Sequence, residues 1–309
     1  MRLWLCLLCL LPGLVGAQES GRYTFTHPQM GTTFRIVLYA EGEAQAARAA
    51  RRAWARLDTL NQLLSDYVPQ SALNQFDGQA GDGHWHQLPP DLWQVLQAAQ
   101  TVYRRSGGAF DVSIGPLSRL WRRAFRRQVF PEPEDVAAAR SRVNGRWIRL
   151  SPKGYRGRLL RKGMELDLGG IAKGYALDAM AEQLHAQGLD TFLLDGGGDL
   201  LAGEAPPEKQ GWTVRLPSGD TLLLRQAAVA TSGDAYRYLE HQGKRYSHLI
   251  DPRTGYGVQH RRTITVRAPT ATQADAWASA GSILDTAAFA KIRRKKWAKR
   301  LKVYLHQTP

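Results

Sequence analysis

The chain has 309 residues and a formal net charge of +15, from 42 Lys and Arg against 27 Asp and Glu, with a pI near 10.1. That length suits about two domains or one large α/β unit and is ample to bury a core. Apolar residues make up 43% and are spread throughout, which excludes disorder over most of the chain, while 30 Gly and 15 Pro are too few for a collagen-like or low-complexity protein. The basic excess points to a polyanion or an anionic membrane surface as a neighbour and says nothing about fold.

Arg2, the apolar run Leu3–Leu11, Pro12-Gly13 and the small-residue end Val15-Gly16-Ala17 form a signal-peptide pattern over residues 1–17. The run is shorter than the about 20 residues of a bilayer-spanning helix. The expectation is export, with the periplasm as compartment. Cys6 and Cys9 both lie inside this segment, so cleavage after Ala17 leaves no disulfide, Cys-ligated zinc or thiol nucleophile.

Thr32–Tyr39 is rich in β-branched and aromatic residues and reads as a strand. Glu43–Leu64 reads as an amphipathic helix, with Ala47, Ala50, Trp54, Leu57, Leu60 and Leu64 at spacings of three and four. A loop is expected over Pro69–Pro90. A second helix over Asp91–Arg105 follows, with Leu92, Val95, Leu96, Ala99 and Val102 on one face and Gly107-Gly108 as C-cap. Arg119, Arg122, Arg123, Arg126 and Arg127 make a basic helical stripe, and residues 130–160 read as a surface excursion with a short hairpin. Met164–Leu168 reads as a strand, Ala172–Gln187 as a helix closed by Gly188, and Thr191–Leu194 as a strand. Short strands are expected at Trp212–Leu216, Thr221–Leu224, Ala227–Ala230, Arg245–Ile250 and Thr263–Arg267, then a helix at Gln273–Leu284. Residues 291–309 are set apart as a basic C-terminal tail, with eight basic residues and no acid between Lys291 and Lys302. Neither repeat nor linker is evident. The pattern is one mixed α+β domain over residues 18–290, with antiparallel pairing around 212–267.

Several familiar motifs are missing. No G-x-x-x-x-G-K-[ST], G-x-S-x-G or H-E-x-x-H occurs, and Leu201 stands where a Rossmann fingerprint beginning at Gly196 needs Gly or Ala. His84 and His86 flank Trp85 without further ligands at zinc-like spacing and read as loop histidines.

What does stand out is a set of polar, turn-forming segments between well-formed elements. Asp167 precedes Gly169-Gly170, where backbone can approach a ligand closely, and this turn opens a helix whose N-terminus attracts phosphate. Lys173 lies on that first turn, where a cation gains little from the helix dipole, so a bound anion would explain it. Asp275 and Ser279 are four apart on one helical face, and one carboxylate, one hydroxyl and a few carbonyls or waters suit Mg²⁺.

Taken together, Asp167–Asp178 (DLGGIAKGYALD), Leu193–Glu204 (LLDGGGDLLAGE), Ser232–Arg237 (SGDAYR), Tyr246–Gly255 (YSHLIDPRTG) and Ala274–Ser279 (ADAWAS) resemble the FAD:protein FMN transferase (ApbE) family from about Met30 to Leu284. The resemblance implies a single α+β domain, its largely antiparallel sheet packed by helices. It implies an Mg²⁺-dependent enzyme that splits FAD and joins FMN through a phosphoester to a Thr or Ser of an exported or membrane redox protein with an FMN-binding domain. AMP is released, and nucleic acid is not an expected partner. By motif, Met30, Tyr67, Ala109, Phe110, Asp111, Asp167, Lys173 and His248 correspond to FAD-contacting positions, and Gly170, Asp275 and Ser279 to metal ligands. Lys173 would stabilise charge on phosphorus oxygens, and His248 or Asp251 would take the hydroxyl proton. Two departures stand out: Ser279 where Thr is common, and Trp121-Arg122-Arg123-Ala124 where the family commonly continues from Trp with Gly and Phe. Water in place of the hydroxyl would make the same chemistry a hydrolysis.

Overall fold

The protein is described here by a computed structural model covering residues 20–233 and 238–307. The expected signal segment, both cysteines and Asp234 of the SGDAYR motif lie outside the described residues.

The chain opens with strands β1 (Gly21–Gln29) and β2 (Thr32–Ala40), helices α1 (Glu43–Leu64) and α2 (Ala72–Gly78), β3 (His86–Gln87) and α3 (Pro90–Ser106). Helices α4 (Gly115–Arg127) and α5 (Pro133–Arg140) and the hairpin β4 (Ile148–Ser151) and β5 (Arg156–Leu159) follow. Next come α6 (Ala172–His185), β6 (Phe192–Gly196), β7 (Asp199–Ala202), β8 (Trp212–Arg215), β9 (Thr221–Leu224) and β10 (Ala227–Gly233). The chain closes with β11 (Tyr238–His241), β12 (Lys244–Ser247), β13 (Arg262–Ala268), α7 (Ala271–Ile283), α8 (Thr286–Arg293) and β14 (Lys302–Gln307).

Seven strands form one sheet in the order β1-β2-β6-β7-β10-β13-β14, every neighbouring pair antiparallel. Alternation along β2 sends Phe34, Ile36, Leu38 and Ala40 toward the helices, while Val37 packs in a second layer with Trp212, Val214, Leu224 and Val229. The β8–β9 hairpin thus covers part of the sheet's other face. Two strand connections are two-residue turns with left-handed backbone. Met30 (φ 50°) and Gly31 (φ 72°) join β1 to β2, and Gly197 (φ 71°) and Gly198 (φ 96°) join β6 to β7. The triple glycine is therefore a hairpin, which is why it fails as a dinucleotide fingerprint.

Helices α1, α3, α6 and α7 share the main core with the sheet, and α7 is buried almost throughout. A smaller cluster joins α4 and α5 to the β11–β12 region through Leu117, Trp121, Phe125, Val136, Leu239 and Ile250. The cleft described below lies between these two apolar clusters.

Several sequence expectations shift. Met164–Leu168 is no strand: Met164, Leu166 and Leu168 are buried alternately, but the segment joins no ladder beyond the isolated Ile114–Glu165 bridge, its Asp167 N–H going to the Val112 carbonyl (2.8 Å) and its Leu166 N–H to Asp77 of α2 (2.9 Å). Period-two burial reports an extended chain whether or not a ladder exists. In α1 the buried stripe runs through Ala46, Ala49, Ala50 and Ala53, leaving Ala47 and Trp54 half-buried, because so alanine-rich a start fits several helical faces equally well. The loop expected at 69–90 contains α2, whose N-cap is Ser71 accepting the Asn74 N–H at 3.1 Å. The segment set apart as a tail, 291–309, folds back as the end of α8, a short 3₁₀ turn and the edge strand β14, with Ala298 and Leu301 buried. Strand β1, with its polar alternate face, escaped the strand signal. No described helix is long and apolar enough to cross a membrane.

Candidate functional site

Two adjoining cavities meet at the start of α6. The first, about 380 Å³, is lined by Ala109, Phe110, Asp111, Trp121, Arg122, Asp167, Gly169, Gly170, Lys173, Thr231, Ser232, His248, Asp275 and Ser279, among others. The second, about 470 Å³, is bounded by Met30, Tyr67, Leu168, Gly169 and Lys173. Together they fall within the roughly 300–1,000 Å³ of ligand clefts.

At the start of α6, Asp167 accepts the Gly169 N–H (2.8 Å) and pairs with Arg122 (2.8 Å), so it both shapes the turn and meets a cation. The N-terminus of α6 is partly engaged inside the protein, since Gly174 N–H donates to Asp275 Oδ2 at 3.0 Å. This bond fixes Asp275 against α6. A second tie does the same one turn along, where Asp178 accepts the N–H groups of Ala271 (2.8 Å) and Thr272 (2.9 Å) at the start of α7. With the backbones this close, α7 presents Asp275 and Ser279 to the cleft as the i, i+4 pair expected from sequence.

Lys173 is held by protein carboxylates. Its Nζ hydrogen-bonds Asp199 and lies 3.8 Å from Asp275 Oδ2. Burial works against the ammonium, but the charges of Asp275 and Asp199 and the hydrogen bond to Asp199 outweigh it, so its pKa is raised and Lys173 stays cationic. Asp199 is pushed upward by burial and then by Asp275, with Lys173 opposing. Asp199 belongs to the Leu193–Glu204 motif, and sequence alone assigns it no role; a carboxylate directly after a glycine turn is the available signal.

An Mg²⁺ site requires oxygen ligands close together. Asp275 is a buried carboxylate, and a Cβ built on Gly170 would come within 2.9 Å of Ser279 Oγ, so the Gly170 backbone and that hydroxyl are neighbours. The donor set of carboxylate, hydroxyl and carbonyl fits a hard divalent cation. The described residues hold no group of three or more His, Cys, Asp or Glu arranged for a metal, so any ion here relies on neutral oxygens beside Asp275.

His248 reaches the cleft because its loop is pinned. Ser247 N–H donates to the Val258 carbonyl (3.0 Å), Val258 N–H to Leu249 (2.9 Å), and the Trp121 indole N–H to Gly255 (2.8 Å). Gly255 (φ 86°) must be glycine, as a Cβ there would meet Val136 at 2.8 Å. Asp251, three residues on, does not line the cleft. Its carboxylate is taken by the Arg253 guanidinium, at 2.7 Å for the shortest contact, and by the Arg253 N–H (2.9 Å). Asp111 is likewise engaged, accepting from the Ser113 N–H and hydroxyl and from the Gly145 N–H, so it shapes the wall of the cleft.

Arg122, one of the basic stripe of α4, turns inward. It bridges Asp66 and Asp167, and its guanidinium lies 4.6 Å from the centre of the Tyr67 ring, which is 73% exposed. Burial, then repulsion from Asp167, raises the Asp66 pKa, with Arg122 pulling the other way. Arg119, Arg123, Arg126 and Arg127 remain outside. His86 pairs with Asp82 (2.8 Å), His84 is exposed, and neither histidine lines the two cavities.

The chain matches the ApbE family over residues 30–304. A Treponema pallidum protein named FAD:protein FMN transferase is 31% identical over 302 residues, covering 90% of this chain and 83% of that one. A Klebsiella pneumoniae protein of the same name is 30% identical over 262 residues, covering 80% and 74%. The apo crystal structure of the Pseudomonas stutzeri flavinyl transferase ApbE has a TM-score of 0.83 at 26% identity, covering 95% of this chain and 93% of that one. With its motifs gathered on one cleft and the match running from the β1–β2 turn into the last strand, the chain belongs to the ApbE family.

Proposed function

We propose that this chain is an FAD:protein FMN transferase that cleaves FAD at its diphosphate, joins the FMN phosphorus to a Ser or Thr hydroxyl of an acceptor protein and releases AMP. The observation that carries the reading is the convergence of Gly170, Lys173, Asp275, Ser279 and His248 on one cleft, from three separate parts of the chain. Asp275, Ser279 and the Gly170 carbonyl would hold Mg²⁺, which when bound supplies neutralisation of diphosphate charge.

The chain's own groups divide the rest of the work. Met30, Tyr67 and Gly169 border the second cavity, which suits one end of a dinucleotide lying across the start of α6. Lys173, kept cationic by its carboxylates, adds positive potential where charge grows on the phosphorus oxygens. As the acceptor oxygen bonds phosphorus and the bond to AMP breaks, the hydroxyl proton passes to His248. That residue borders the cleft, whereas Asp251 is tied to Arg253. The sequence pattern of residues 1–17 supports export and hence an exported or membrane redox protein as acceptor. The exposed arginines of α4 would favour an acidic partner or anionic membrane surface nearby.

The test mixes the chain with FAD, Mg²⁺ and a purified FMN-binding domain bearing a Thr acceptor. The expected result is a mass gain of one FMN moiety with equimolar AMP, both abolished by chelation and by Asp275→Ala. AMP without mass gain would make the chain a hydrolase toward that acceptor, and undiminished Mg²⁺-dependent transfer by Asp275→Ala would overturn the metal role.

A further inference from the structure

Asp199 is 4% exposed and borders neither cavity, yet it holds the one ammonium group among the described residues that approaches Asp275. Its place is set by backbone. Gly197 and Gly198, both at positive φ, turn β6 into β7, and the Gly196–Asp199 pairing puts Asp199 on the first position of the new strand. A backbone hydrogen bond from Thr231 of β10 also reaches its carboxylate. Lys173 comes from α6 on the other side, hydrogen-bonded to Asp199 and 3.8 Å from Asp275 Oδ2. The same Oδ2 accepts the Gly174 N–H.

One half-buried ammonium thus stands between two buried carboxylates, drawn closer to the one outside the cleft. A buried cation must have an anion. Whichever carboxylate holds it is less available to any other cation. We propose that Asp199 is a positioning residue that keeps the Lys173 ammonium off Asp275, leaving the Asp275 carboxylate open to a divalent cation. The proposal rests on the reading of Asp275 as a metal ligand. It predicts that loss of the Asp199 charge lets Lys173 close onto Asp275 and compete with the metal there. Asparagine at this position is isosteric and still accepts from Thr231, so the strand pairing is preserved.

The experiment follows FAD binding by flavin fluorescence in the full chain without acceptor, across a range of Mg²⁺ concentrations, for the parent, Asp199→Asn, Asp199→Glu, Lys173→Met and Asp199→Asn/Lys173→Met. Asp199→Asn should raise the Mg²⁺ concentration giving half-maximal enhancement of FAD binding by about tenfold or more, as an added charge competitor at one carboxylate would. FAD affinity in chelator should change far less. In the Lys173→Met background, whatever that change itself does to FAD binding, adding Asp199→Asn should no longer raise the half-maximal concentration, and Asp199→Glu should stay nearer the parent than Asp199→Asn. A merely structural Asp199 would lower the melting temperature and shift the response equally in both backgrounds. A value for Asp199→Asn within about twofold of the parent, or an equal rise on adding Asp199→Asn to Lys173→Met, overturns the proposal. A parent whose FAD binding ignores Mg²⁺ overturns the metal reading itself, and does so before any variant is compared.

Discussion

Gly174 is where packing and chemistry meet, and Gly174→Ala tests both. A Cβ there would overlap the Ala271 carbonyl oxygen, lie 2.6 Å from its carbon and 2.9 Å from Asp275 Cβ. Comfortable carbon contacts are about 3.5–4.0 Å, so α6 and α7 would have to part by about 1 Å. Because the obstruction is backbone, no rotamer change relieves it. Overpacking of this kind costs about 1–3 kcal/mol, while alanine in place of glycine inside a helix returns about 1 kcal/mol. The net expectation is a loss of up to about 2 kcal/mol, or a fall of several degrees in melting temperature at about 2–4 °C per kcal/mol. The same displacement stretches the Gly174–Asp275 hydrogen bond and shifts Asp275 relative to Gly170, and a misplacement of about 1 Å can cost about 10²-fold in rate. Calorimetry and an AMP-release assay on the folded variant measure the two effects. Gly78→Ala, at the end of α2 with open space around it, is the control and should be neutral or slightly stabilising. A folded Gly174→Ala protein of full activity, whatever its stability, would refute the close-packing account of how Asp275 is placed.

Burial pushes the Asp77 carboxyl up to about 8, against the Leu166 N–H that it accepts at 2.9 Å and with Glu165 reinforcing the rise. The folded state then holds a proton that the unfolded state has lost, so stability should fall as pH rises from the ordinary carboxylate range to about 8, by up to about 1.4 kcal/mol per unit. Urea titrations at several pH values should show Asp77→Asn flattening this slope, and an unchanged slope would place its origin elsewhere. Arg122→Gln leaves Asp66 and Asp167 facing each other without their shared cation. With Arg122 about one-third exposed, the expected loss is about 1–2 kcal/mol, larger at pH 8 than at pH 5, where Asp66, already pushed upward by burial, can take up a proton. Equal losses at both pH values would argue against the pairing.

Read from sequence, the extents of α1, α3, α6 and α7 were legible, and for α3 the buried face as well, because its three-four apolar period labels that face. Antiparallel pairing somewhere around 212–267 was legible, though not which strands pair, and the motif segments carried the family and most of the cleft's lining. Strand β14 was not legible, since an edge strand made of Lys302, Val303, Tyr304 and Leu305 carries the same local signal as a basic tail until β13 is beside it. The inward turn of Arg122 was hidden for a related reason: helical spacing places it among the other arginines of α4, and only Asp66 and Asp167, 56 and 45 residues away in sequence, draw it into the cleft. Asp199 and Lys173 were each visible as residues, but their pairing belongs to the tertiary structure. Charge types and turn glycines are properties of the chain taken locally. Which carboxylate neutralises which cation depends on distances between segments that only the packed sheet and helices establish.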